Sequence, residues 1–186
     1  MCGIVGFRTS SGVASAEAHA AVARMAHALA HRGPDDEGLW VDENAGVALG
    51  HRRLSILDLS AAGHQPMHSA SGRYIIIFNG EIYNHGELRA ELPGCTWRGR
   101  SDTETLLAGF DCWGIEATLR KSIGMFAMCV WDRSQRELIL ARDRLGEKPL
   151  YYGWQGGTFL FASELKAIRT HRAFPQRCVV GRCNHC

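Results

Sequence analysis

Cys2 puts a thiol one residue inside the start of the chain, in the stretch MCGIVGF. A free thiol has a pKa of about 8.5, so an enzyme that uses one as a nucleophile places a base beside it. An α-amine, with a pKa of about 7.7–8.0, can serve as that base near neutral pH. Removal of Met1 would make Cys2 the first residue. Nucleophile and base would then sit on one residue, and no Cys–His pair would be required. Read alone, the same stretch is equally a methionine followed by a small residue of no chemical consequence. The decision between the two rests on what the rest of the chain can bring to Cys2.

Length and composition set the frame. The chain has 186 residues, enough for one ordinary domain that buries about 70% of its unfolded surface without a disulfide or metal. The formal net charge is +2, which gives no argument for nucleic acid or a membrane surface as a partner. No apolar run is long enough to span a bilayer, and the N-terminus lacks the basic and apolar regions of a signal peptide, so a cytoplasmic location is expected. The seven cysteines are odd in number and scattered, unlike a disulfide framework. Cys112 and Cys129 lie in apolar segments and read as small core residues. The scattered histidines give no argument for a metal site.

The elements that must position Cys2 follow from periodicity. Residues 2–7 read as a short buried strand. A helix follows, with Ser15 as its N-cap, Val22, Met25, Ala26 and Leu29 at helical spacing, and Gly33 as its stop. Residues 38–56 read as a hairpin around the turn Asp42-Glu43-Asn44. Residues 73–78 are β-branched and aromatic, a strand that ends at an Asn79-Gly80 turn. A short helix spans 81–92. A second opens at Ser101 with a Ser101–Glu104 capping box and carries Leu106, Leu107, Phe110 and Trp113 on its apolar side. A third covers 115–122. Strands follow over 125–132, 137–143, 150–154 and 158–163, then a helix from Glu164 to Thr170. Two groups of strands with helices between them predict an α+β fold with antiparallel hairpins. No phosphate-binding glycine fingerprint is present.

Nine segments appear in one order: MCGIVGF, HRGPDDEG, LGHRRLSILDLS, GHQPM, FNGEIYN, SDTE, GMFAMCVWD, ARDRLGEKPLYY and FASELKAI. Together they resemble the glutamine amidotransferase domain (class II, N-terminal-nucleophile hydrolase type) of glutamine-hydrolysing asparagine synthetases, over residues 2–170. The resemblance implies an Ntn-hydrolase four-layer αββα sandwich, with two antiparallel sheets between helical layers. It also implies hydrolysis of L-glutamine to glutamate and ammonia, with Cys2 forming a γ-glutamyl thioester that water then cleaves.

The resemblance assigns further roles. Asn79, through its side-chain amide, and Gly80, through its backbone N–H, match the oxyanion hole. Arg53 matches the arginine that binds the substrate α-carboxylate, a task suited to a rigid bidentate guanidinium. Arg52 serves as a surface or structural charge. The backbone of Leu54, Ser55, Ile56 and Leu57 would line the same pocket. Asp102 matches the carboxylate that pairs with the substrate α-ammonium, although an acid in a first helical turn also complements the helix dipole. Glu81 matches a glutamate at the pocket, and Glu104 keeps only its capping role. Residues 31–38 would form a loop over the pocket. His31 is not expected to be the base, since the Cys2 amine fills that role, and His51 and His64 read as structural.

The resemblance covers a glutaminase domain over 2–175. A second, ATP-using domain with a pyrophosphate loop follows in the family, and no such segment occurs here. This domain is therefore expected to need no cofactor. ATP and magnesium are implied only for the synthetase part, which would be a partner domain or subunit receiving ammonia. Residues 176–186 diverge and read as a disordered tail. Within them Cys178, Cys183, His185 and Cys186 are zinc-ligand types at irregular spacing. Two other readings remain. Amidotransferase domains of glucosamine-6-phosphate synthase or purine synthesis tend to carry tryptophan after the substrate arginine, whereas Leu54 follows Arg53 here. A non-catalytic module of the same fold is the other.

Overall fold

The computed structural model describes residues 1–10, 12–54 and 61–174. The chain forms β1 (Gly3–Thr9), α1 (Ser15–His27), the hairpin β2 (Asp36–Asp42) and β3 (Val47–Arg53), then β4 (Met67–His68) and β5 (Tyr74–Ile82). Three helices follow: α2 (His85–Ala90), α3 (Asp102–Trp113) and α4 (Ile115–Lys121). The strands β6 (Gly124–Asp132), β7 (Glu137–Arg142), β8 (Tyr151–Gln155) and β9 (Thr158–Ala162) and the helix α5 (Leu165–Arg169) complete it. One sheet has the order β2-β3-β1-β9-β8 and the other β4-β5-β6-β7, and the paired strands in both are antiparallel.

The period-2 alternation of each strand divides the core into three slabs. Ile4, Val47, Leu49 and Phe161 of the first sheet meet Ile75, Ile77, Ala127, Cys129 and Trp131 of the second. The opposite face of the first sheet, with Val5, Phe7 and Leu160, packs on Val22, Met25 and Leu29 of the α1 region and on Ile168 of α5. The opposite face of the second, with Ile76, Phe78, Met128 and Val130, packs on Leu106, Leu107 and Phe110 of α3. The layers are therefore helix, sheet, sheet, helix. The unbroken apolar run Tyr74–Phe78 has its reason here, since β5 is covered on both faces. No helix among the described residues is long and apolar enough to cross a membrane.

Several local expectations are corrected. Asn79-Gly80 is not a turn: β5 runs through it to Ile82, and Asn79 and Gly80 pair with Ala127 and Phe126 of β6. The glycine serves close approach rather than a turn, because a Cβ there would lie 2.4 Å from the Met125 carbonyl oxygen. Consequently the helix expected over 81–92 shrinks to α2. In α1 the N-cap is Ala14, with no side-chain cap, and the helix ends at His27. Turns bonded from Leu29 N–H to Ala26 O and from Arg32 N–H to Leu29 O carry the chain on to Gly33. Ser101 does cap α3, accepting from Glu104 N–H at 3.3 Å. Glu104 does not return the bond. Its carboxylate accepts from Arg98 N–H at 2.7 Å, Gly99 N–H at 3.0 Å and Arg89 at 3.2 Å. The loop before α3 folds back over the helix start and offers the two backbone donors, and α2 offers the Arg89 guanidinium. Cys129 is buried, whereas Cys112 lies exposed on α3.

His51 carries a measurable consequence of this packing. It is buried in β3, and because a carbonyl can only accept, its Nε2–H donates to Phe78 O at 3.0 Å. Burial pushes its pKa from 6.5 down to about 4. The folded protein therefore keeps His51 neutral where the unfolded chain would protonate it, so stability is lost as pH falls from about 6.5 to about 4. The complete loss is about 3 kcal/mol. In thermal unfolding, His51→Gln, which retains a donor for Phe78 O but cannot charge, should flatten this part of the Tm–pH curve. An unchanged curve would assign the window to other groups.

Candidate active site

The same alternation that builds the inter-sheet core builds the site at one end of it. On β3, Val47 and Leu49 face the second sheet, and Arg53 continues that face. On β5, Ile75 and Ile77 lead to Asn79 and Glu81. On β1, Ile4 leads back to Cys2, which the pairing of Gly3 with Arg52 sets opposite Arg53. The apolar ladder thus becomes polar in phase on three strands. Cys2, Arg53, Leu54, Asn79, Gly80, Glu81 and Asp102 line one cavity of about 130 Å³ with Met1, Gly63, Gln65, Met125 and Lys148. Ser55, Ile56 and Leu57 lie outside the described residues, as do Cys178, Cys183, His185 and Cys186.

The terminus is held rather than frayed. Ile4 and Ser163 exchange two hydrogen bonds, from Ile4 N–H to Ser163 Oγ at 3.0 Å and from Ser163 N–H to Ile4 O at 2.8 Å. Arg32 Nε donates to Cys2 O at 2.9 Å, and Arg32 is itself paired with Glu164 at 3.0 Å. Three groups of the Arg32, His31 and Lys166 cluster hold the Glu164 carboxyl at about 2, against the cost of burial. The thiol lies against the next strand: Leu54 N–H donates toward Sγ at 3.4 Å. Residues 31–38 do not line the cavity; they lie behind Cys2 and enter β2, which corrects the expected loop over the pocket.

The open edge of β5 supplies the hydrogen-bond donors. In an antiparallel ladder both main-chain groups of a residue point to the same side. Phe126 directs its N–H and C=O toward Asp143, at 3.2 Å to Oδ2 and 2.8 Å from Asp143 N–H. Its partner Gly80 therefore directs its own groups away from β6. On that side no strand follows beyond β4 among the described residues, and side chains stand in for one. Gln65 Oε1 accepts from Phe78 N–H at 2.6 Å, His51 donates to Phe78 O, and Asp102 Oδ2 accepts from Ile82 N–H at 2.9 Å. Between those two stand-ins the Gly80 N–H faces the cavity. Beside it Asn79, 2% exposed, has its Nδ2 buried without a hydrogen-bond partner among the described residues. A buried amide left unsatisfied costs about 1–3 kcal/mol, so two donors are presented where a ligand oxygen would satisfy them.

Charged groups sit at the other walls. Arg53 is buried, and Gly63 makes room for it: a Cβ at that glycine would fall 2.1 Å from Arg53 Nη2. Asp102 is 5% exposed at the first turn of α3, with Oδ1 accepting from Thr103 N–H at 2.8 Å. Burial pushes its pKa up, and the Ile82 and Thr103 N–H groups pull against that. A cation beside it would offset the burial. Arg52 is structural, pairing with Glu37 and donating to Gly33 O. His31 and His64 pair with Glu164 and Asp36 away from the cavity. His27 and His31, and His64 and His68, are spaced four apart. Even so, no group of three or more metal-ligating side chains could hold an ion among the described residues.

Gln65 and Lys148 carry no local signal of function in the sequence. Both lie in segments that carry the resemblance, GHQPM and RLGEKPLYY, but no periodic or spacing signal marked them. The partners of their side chains are more than ten residues away in the chain, so only the fold could place them.

The family described as "Glutamine amidotransferase domain" matches residues 1–180. A putative asparagine synthetase (glutamine-hydrolyzing) of Mycobacterium tuberculosis is 43% identical over 182 residues, covering 90% of this chain and 28% of that protein. A putative asparagine synthetase (glutamine-hydrolyzing) 2 of Methanocaldococcus jannaschii is 40% identical, covering 90% of this chain and 35% of that protein. Asparagine synthetase (glutamine-hydrolyzing) 3 of Bacillus subtilis is 41% identical, covering 92% and 28%. The chain thus spans well under half the length of these relatives. Among solved structures, the glutamine phosphoribosylpyrophosphate amidotransferase of B. subtilis superposes with a TM-score of 0.74 at 22% identity, over 91% of this chain and 43% of that one. That likeness is one of fold, and it bears out the Ntn-hydrolase αββα sandwich.

Proposed function

The chain belongs to the class II glutamine amidotransferase domain family, and from that premise we propose that it hydrolyses L-glutamine to glutamate and ammonia through Cys2 once Met1 is removed. The observation that carries this reading is the pair of donors at Asn79 and Gly80, one a buried amide without a partner among the described residues, in the cavity that also holds Cys2. The Cys2 α-amine takes the thiol proton as Sγ attacks the side-chain amide carbon. The amide oxygen becomes an oxyanion held by Asn79 Nδ2 and Gly80 N–H. Collapse breaks the C–N bond, and the α-ammonium returns its proton to the leaving nitrogen as ammonia departs. Water, deprotonated by the same amine, then attacks the thioester and releases glutamate, and the thiol regains its proton.

Specificity for a free amino acid follows from the walls. Arg53 would take the α-carboxylate and Asp102 the α-ammonium. A ligand lacking either charge leaves a buried ion unmatched, which is costly. Glu81 and the backbone of Leu54 to Leu57 would complete the pocket. The relatives' names, asparagine synthetase (glutamine-hydrolyzing), support a synthetase domain or subunit as the ammonia acceptor; in this reading it works in the cytoplasm and amidates aspartate with ATP and magnesium. The domain itself uses no cofactor in this scheme.

The test is an assay of the chain with L-glutamine, after intact mass shows that the protein begins at Cys2. Ammonia and glutamate are expected in equal amounts. Glutaramide, which lacks both charged ends, should be a far poorer substrate. Protein that begins at Cys2 and neither releases ammonia nor acquires a covalent adduct from a glutamine analogue electrophilic at the δ-carbon would overturn the reading.

A further inference from the structure

The segment ARDRLGEKPLYY has a rigid core whose purpose the scheme above leaves unexplained. The carboxylate of Asp143 accepts four backbone N–H groups: Phe126 at 3.2 Å, Leu145 at 3.1 Å, Glu147 at 2.9 Å and Lys148 at 3.1 Å. Those bonds hold its pKa below the usual carboxylate range despite the opposing effect of burial. Arg142 donates to the carbonyl oxygens of Lys148 and Gly146 from the other side. Pro149 restricts Lys148 to extended backbone. The loop from 143 to 148 is thus pinned to the start of β6, and what it delivers into the cavity is the Lys148 side chain.

Lys148 is 7% exposed. Buried ammonium groups are ordinarily paired with carboxylates. This one forms no salt bridge among the described residues. Its Nζ instead meets the Met1 thioether, at 3.7 Å. That contact disappears when Met1 is excised, and the cation then stands in the space next to residue 2 with an anion's place open before it. Arg53 from β3, Glu81 from β5, Asp102 at the start of α3 and Arg32 behind the Cys2 carbonyl are the other charged groups around that space.

From this juxtaposition we infer that Lys148 is a positioning residue for the reaction: its ammonium faces Cys2 in the mature chain and stabilises the negative charge that develops at Sγ. The inference rests on the reading of Cys2 as nucleophile. Lys148 neither gives nor takes a proton in the cycle. It acts by attraction from a nearly buried position, where a fixed cation is worth more than in bulk solvent. Met1 would occupy the cation until excision, so the residue whose removal frees the amine also frees the charge.

The test uses Lys148→Met and Lys148→Gln, which keep the length or polarity of the side chain without its charge, and Lys148→Arg, which restores it. Alkylation of Cys2 by iodoacetamide is followed against pH, with peptide-resolved mass spectrometry to separate Cys2 from the other thiols. In both neutral variants the half-maximal rate should move up by about one pH unit. Ammonia release near pH 7 should fall about tenfold in kcat, with KM changed less than about twofold. Lys148→Arg should resemble the parent protein. A merely structural lysine would lower Tm in the neutral variants and leave the alkylation profile in place. An unshifted profile in either folded neutral variant overturns the role of Lys148. Persistent ammonia release by a chain lacking the Cys2 thiol overturns the underlying nucleophile instead, and the alkylation profile does not depend on turnover.

Discussion

Cys2→Ala should reduce ammonia release from L-glutamine to background while the domain stays folded. In the proposed scheme the Cys2 thiol forms the thioester, and removing a covalent nucleophile commonly costs about 10⁴–10⁶ in kcat. The structural cost should be small. Cys2 is only partly buried, and its Sγ makes long contacts, 3.4 and 3.7 Å, to the Leu54 main chain. What anchors the terminus is main chain and remains in the variant: Ile4 with Ser163, and Arg32 with Cys2 O. Alanine also permits excision of Met1, so the variant retains the α-amine. Glutamine binding should therefore persist, because Arg53 and Asp102 are untouched. An ammonia assay with a parallel binding measurement checks both halves. Appreciable turnover would assign the chemistry to another residue.

Asn79→Ala should lower kcat by about 10²–10³, with a smaller change in KM, since an oxyanion donor acts on charge that exists only in the transition state. This substitution separates function from stability unusually well. Nδ2 has no partner among the described residues, so its removal deletes none of their hydrogen bonds, and Tm should hold or rise slightly. A purely structural Asn79 predicts the reverse, a loss of Tm with kcat preserved. Asn79→Asp should be at least as inactive, because it sets a carboxylate where the oxyanion forms. Steady-state kinetics and thermal unfolding on the same preparations decide between these outcomes.

Much of this was legible before folding, for reasons that differ by residue. The apolar runs of β5 and β6 and the 3.6-residue spacing of α1 and α3 are local signals, and they placed those elements. Asn79-Gly80 shows where local reading fails. The pair has the composition of a turn, but the glycine answers to Met125 on the neighbouring strand, a contact 45 residues away that no window contains. Ser101 behaved as its local pattern predicts, while Glu104 was drawn to backbone donors that only the returning loop provides. Cys112 follows the same rule, since an apolar neighbourhood in sequence is an exposed helix face in space.

The sequence by itself determined the inventory: a thiol at position 2, an amide and a glycine side by side, an arginine after His51-Arg52, and an acid in a first helical turn. It also determined that the segments of β5 and β6 would be strands with little exposed surface, because apolar runs are properties of the chain alone. The tertiary structure decided which strand edge stays open. Gln65, His51 and Asp102 satisfy β5 on either side of Gly80, and that choice turns a strand interior into a donor site. It also decided that Asp143 should spend its carboxylate on four N–H groups and so carry Lys148 into the cavity. Both are long-range hydrogen-bond decisions. They depend on which backbone groups remain unpaired after the sheets have formed, and no residue carries that information before they do.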